Sequence, residues 1–118
     1  MLAALANSPF TEVRGKVAEN GKTPTNVLDT LMDDAEIVRT GLARNPRAIE
    51  RGWSLVNDVS VTVRLCLAEN PNLPEHVYQV LLNDLDAYVA AQACRTLRKL
   101  QRDDNPVVML FNAFAKAS

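Results

Sequence analysis

From Val13 onward the chain repeats itself every 25 residues, and a period of that length constrains the fold more than any local propensity does. The first copy reads VRGKVAENGKTPTNVLDTLMDDAEI from Val13. The second reads VRTGLARNPRAIERGWSLVNDVSVT from Val38. The third reads VRLCLAENPNLPEHVYQVLLNDLDAY from Val63 and is one residue longer. A fourth opens at Val89 as VAAQACRTLRKL and then diverges. The columns agree in chemistry: Val13, Val38, Val63 and Val89 lead, followed by Arg14, Arg39 and Arg64, then Ala90. Val17, Leu42, Leu67 and Ala93 form an apolar column, with Ala18, Ala43, Ala68 and Cys94 beside it. Asn20, Asn45 and Asn70 each precede a chain punctuator, Gly21, Pro46 or Pro71.

Each copy reads as two short helices. The apolar positions of the VRxxVAxN stretch share one face of a helix. Asn before Gly or Pro ends it, Asn by tolerating a left-handed C-cap and Pro by being unable to continue the helix. The second helix is expected near Thr23-Pro24 and Leu73-Pro74, with Thr23 as N-cap and Pro24 in the first turn. Leu28, Trp53 and Tyr78 fall in one column, which predicts core packing for all three. Asp33-Asp34, Asn57-Asp58 and Asn83-Asp84 end these helices or cap the next ones. A helix pair of this size cannot bury its apolar face alone, so neighbours must stack. The expected fold is therefore all-α, a helical-repeat solenoid in one domain, residues 1–118. It divides into a half-repeat 1–12, repeats 13–37, 38–62 and 63–88, and a diverged repeat with C-terminal cap helices over 89–118. LANSPFTEV aligns with LLNDLDAYV, which makes residues 1–12 the second half of a copy. The stretch after Val89 is expected to form one longer helix, and Pro106 to start a final apolar one.

The phrase VRxxLAxNPxLP, a Leu-rich helix and an Asp-containing turn resemble the leucine-rich repeat variant family. The match is best from Val63 to Asp84 and covers roughly residues 1–96. The resemblance implies a right-handed superhelix of short α and 3₁₀ helices without strands, similar to HEAT repeats but with a shorter period. It implies no enzymatic activity. The second copy departs from the pattern with Ala48-Ile49, and the fourth lacks the Arg and the Asn-Pro. One family member carries an iron–sulfur cluster on a separate Cys-rich segment; Cys66 and Cys94 alone cannot ligate one.

Composition narrows the function without naming it. Apolar residues make up 47% and charged residues 23%, the balance of a folded domain and not of a disordered one. Thirteen basic against 14 acidic residues leave a net charge of −1, so no global field favours nucleic acid. Two cysteines and one histidine are too few for a disulfide scaffold or zinc cage and fit a reducing cytoplasm. No apolar run approaches the ~20 residues of a membrane span. MLAALANSPF lacks the basic region of a signal peptide. No catalytic constellation, metal site or cofactor site is expected: Cys66 and Cys94 read as small apolar residues, and His76 as an exposed side chain.

Two polar columns read as a structural ladder. Arg14, Arg39 and Arg64 should pair with acidic or carbonyl groups of adjacent turns, Asp33 and Asp58 among the candidates. Asn20, Asn45 and Asn70 should cap helices and bond neighbouring turns. A basic edge of Lys22, Arg47, Arg51, His76, Arg98, Lys99 and Arg102 sits where the second helices begin, opposite an acidic edge of Asp33, Asp34, Glu36, Asp58, Asp84 and Asp86. The expected function is a non-catalytic protein–protein interaction module or scaffold in the cytoplasm. The alternative is nucleic-acid binding through the basic edge. The apolar N-terminal edge, MLAALA, is a further surface for self-association.

Overall fold

The computed structural model describes residues 2–48 and 51–102. They form eight helices: α1 (Leu2–Leu5), α2 (Thr11–Glu19), α3 (Thr25–Thr30), α4 (Glu36–Arg44), α5 (Gly52–Leu55), α6 (Val61–Glu69), α7 (Glu75–Leu82) and α8 (Ala87–Arg102). No strand occurs among the described residues. The final helix expected after Pro106 lies outside them.

The leading Val column explains the arrangement. Val38, Val63 and Val89 are fully buried, and Ala18, Ala43 and Ala68 are buried with them. Small side chains at those positions let α2 pack on α4, α4 on α6, and α6 on α8, in chain order. Leu28, Tyr78 and Leu81 from α3 and α7 close the core from the other side. The molecule is elongated, 56 × 28 × 17 Å along its principal axes. α2 and α4 approach closely: a Cβ on Gly41 would lie 2.4 Å from Gly15 O. Only glycine allows the two backbones to meet there.

Several local expectations are corrected. The asparagines after α2, α4 and α6 are extended, with φ of −77°, −64° and −74°, and are not left-handed caps. The extended backbone turns each Oδ1 back onto its own chain, where it accepts from the N–H two residues on: Lys22, Arg47 and Asn72, at 2.7–2.9 Å. Thr23 is not the N-cap of α3. Pro24 holds that position, and Pro74 holds it for α7. The buried Thr23 hydroxyl instead donates to Val17 O at 2.7 Å.

Trp53 is the clearest departure: it is 59% exposed, not in the core. The second segment has no proline to start its second helix, and α5 is a single turn that buries Gly52, Leu55 and the following Val56. Gly52 sits against Leu73 and Val77 of the next segment, so the adjacent Trp53 points outward. There its ring meets His76 edge-on, with centroids 5.0 Å apart.

Candidate functional site

Three sets of polar and apolar groups organise the surface. The first is the arginine column. Arg14 grips both carboxylate oxygens of Asp34, at 2.9 and 3.0 Å, and donates to Ser8 O at 2.7 Å. Arg39 does the same with Asp58, at 2.7 and 3.1 Å, and with Asp34 O at 2.7 Å. Arg64 repeats it with Asp84, at 2.8 and 3.3 Å, and with Asp58 O at 2.6 Å. Each planar guanidinium thus ties the turn before its helix to the next turn along. Asp34, not Asp33, receives Arg14. Asp33 stays exposed.

The first two of these pairs sense pH. The Arg14 hydrogen bonds hold the Asp34 carboxyl below the usual carboxylate range against a burial effect that opposes them. Burial acts to raise Asp58, but the bonds from Arg39 and from Ser60 N–H outweigh it and its carboxyl also lies low. A folded-state value below the unfolded one gives stability that is complete above the unfolded carboxylate pKa of ~4 and is lost as pH falls through the folded value. The melting temperature should therefore be flat above about pH 5 and decline below about pH 4. Arg39→Ala should cost about 2 kcal/mol at pH 7, since it strands the Asp58 carboxylate, and should flatten part of the acid decline. Melts of both proteins from pH 7 to pH 2 check this; parallel acid limbs would contradict it.

The second set is the asparagine column. Asn45 is fully buried, and its Nδ2 donates to Ala18 O at 2.7 Å and Asn20 O at 3.1 Å. Asn70 donates to Ala43 O and Asn45 O, both at 2.8 Å. The fourth copy has Thr96 where the column would continue. Tyr78 ends the run there: its hydroxyl donates to Asn70 O and accepts from Leu73 N–H at 3.3 Å. Asn20 at the other end is exposed.

The basic edge is divided by these demands. Arg47 donates to Thr23 O at 2.7 Å, to Gly21 O at 3.4 Å and to the Thr25 hydroxyl. Arg51 is buried and reaches Thr25 O at 2.8 Å and Asp29 Oδ1 at 2.7 Å. Both therefore bind the second segment to the first. Lys22 is exposed beyond α2, His76 is exposed on α7, and Arg98 and Lys99 are exposed on α8, which Arg102 closes. Of the seven residues, Arg47 and Arg51 are thus engaged with the preceding segment.

The third set was not singled out from the sequence. Val59 is 92% exposed and Leu85 is fully exposed, each directly after the aspartate of its turn. A groove of about 400 Å³ lies along Met32, Asp33, Arg39, Ser54, Asp58 and Val59. A second of about 310 Å³ lies along Arg64, Val80, Asn83, Asp84 and Leu85. Asn57 and Asp58 line both, so the two grooves adjoin. An exposed aliphatic residue just past a well-tied turn is a signal the sequence did carry, but only the fixed aspartates show that the residue after them must point outward.

Elsewhere, burial pushes the Cys66 thiol above its usual range, the opposite of what a nucleophile needs. Among the described residues no group of three or more His, Cys, Asp or Glu could hold a metal ion. Among them, too, no helix is long and apolar enough to cross a membrane. Comparison with protein-family models, with curated proteins and with solved structures finds no match to this chain.

Proposed function

We propose that the protein is a non-catalytic interaction module or scaffold: a right-handed solenoid of 25-residue turns, of the leucine-rich repeat variant type, that binds another protein. The observation that carries this reading is a set of exposed apolar side chains on a frame whose polar groups are bonded internally. Phe10, Trp53, Val59, Leu85 and Tyr88 are all more than half exposed. Apolar side chains held out on a rigid frame favour a partner surface. Three like-spaced helices, an asparagine column bonded at offsets of 25 to 27 residues and an arginine column bonded to aspartates at offsets of 19 to 20 support the solenoid. The resemblance of the Val63–Asp84 stretch supports the family. Free Cys66 and Cys94 suit a cytoplasmic setting. Leu5 and Phe10, exposed near the N-terminal end, are the residues through which self-association would act. Binding of nucleic acid is the weaker reading, because Arg47 and Arg51 already bond carbonyl groups of the preceding turn.

Affinity capture from native lysate of the source cell, with and without nuclease, tests the choice. The proposal expects a discrete set of proteins that survives nuclease treatment. Capture that disappears with nuclease, or retention of the protein on a nucleic-acid column that falls with salt, would replace it by the alternative.

A further inference from the structure

We infer that the adjoining grooves along the aspartate turns take an extended partner segment with an apolar residue at every third position and basic residues between. The inference rests on the interaction-module reading and specifies its site and ligand. Three observations carry it.

The first is spacing. Helices packed side by side lie about 8–10 Å apart, so equivalent positions on successive turns recur at that distance. Val59 and Leu85 are such positions. A polyproline-type segment advances about 9.3 Å per three-residue turn and brings every third side chain to one face. A β-strand repeats a face at about 6.8 Å and would fall out of register. The extended left-handed form therefore matches the two grooves, with one apolar side chain beside Val59 and the next beside Leu85.

The second is charge. The two grooves are lined by Asp33, Asp58 and Asp84 against Arg39 and Arg64, and Asp33, at one end of the pair, is exposed. The excess is negative, and neither groove is lined by a lysine. A cationic segment is the complementary partner. The third is backbone recognition. Asn57 and Asn83 are exposed and line the grooves, and Asn83 donates Nδ2 to Gln79 O, so its Oδ1 remains available to accept. Side-chain amides at successive turns supply acceptors for the N–H groups of an extended chain that has no internal hydrogen bonds.

The probe is a dye-labelled twelve-residue peptide, Leu-Lys-Pro repeated four times; proline holds the extended form and the lysines carry the charge. Fluorescence anisotropy at physiological salt should show micromolar binding. The Leu-Glu-Pro counterpart should bind at least tenfold more weakly. So should an alternating Leu-Lys peptide of the same length. A Val59→Asn, Leu85→Asn double variant should lose at least tenfold for the first peptide. Both side chains are on the surface, so the fold is retained, and an unchanged far-UV spectrum verifies this. No binding of the first peptide, equal binding of the glutamate peptide, or full binding by the double variant would each overturn the inference. If lysate capture yields a partner that the double variant binds equally well, the module reading stands and this site falls. If capture is empty while the peptide binds as described, the site stands and the module reading needs a different partner source.

Discussion

Asn70→Ala is expected to destabilise the protein by about 3 kcal/mol, while Asn20→Ala in the same column costs less than about 1 kcal/mol. The side chain of Asn70 is 4% exposed, and it serves three backbone groups at once. Its Nδ2 supplies Ala43 O, a last-turn carbonyl of α4, and Asn45 O; its Oδ1 receives Asn72 N–H. Asn45 O keeps Ala48 N–H as a donor, at 2.9 Å, so the loss there is partial. Ala43 O loses the Asn70 donor and Asn72 N–H loses its acceptor, and a buried polar group left without a partner costs about 1–3 kcal/mol. Asn20 makes the same turn with Lys22 N–H but is open to water, which replaces the lost bond. Urea melts of the two variants give the comparison directly. Equal effects would mean that the column is a set of local turns and not a tie between segments.

Gly41→Ala should cost about 2–3 kcal/mol and lower the melting temperature by roughly 10 °C, whereas Gly15→Ala should be neutral or stabilising by up to about 1 kcal/mol. Both glycines are inside helices, where alanine is the better residue. What differs is the space. A Cβ on Gly41 would lie 2.4 Å from Gly15 O and 3.1 Å from Ala18 Cβ, so α2 and α4 must separate. A Cβ on Gly15 would meet Ile37 O at 3.5 Å, an ordinary contact. Separating the pair also stretches the Asn45 bond to Ala18 O, because donor and acceptor belong to those two layers. Thermal melts of the two single variants decide it. A stabilised Gly41→Ala protein would contradict the close approach.

The helices were legible in the sequence because their causes are local. Apolar columns at helical spacing and a punctuator after each asparagine place α2, α4 and α6 to within a few residues. What the sequence did not reveal depends on how the segments meet. Trp53 reads as core because it aligns with Leu28 and Tyr78; the missing proline in that segment shortens α5 and turns the residue outward. The left-handed cap expected of asparagine gives way to an extended one, in which the side-chain oxygen accepts from the N–H two residues on. Arg47 and Arg51 read as free cations because their acceptors, backbone carbonyls, a hydroxyl and a carboxylate, are 22 to 26 residues away in the chain. Asp33 and Asp34 were indistinguishable until geometry chose one. The candidate groove was the least legible feature, since an exposed valine or leucine in a turn stands out only when the residues around it are fixed.

Successive segments are tied by the buried side-chain amides of Asn45 and Asn70. Side-chain amide exchange in ¹⁵N-labelled protein measures those ties at the atoms concerned. The Nδ2 protons of Asn45 and Asn70 should exchange with solvent orders of magnitude more slowly than those of Asn20, and should show long-range hydrogen-bond couplings to the carbonyls of Ala18 and Ala43. Fast exchange of all three amides, with no coupling across the segments, would contradict it.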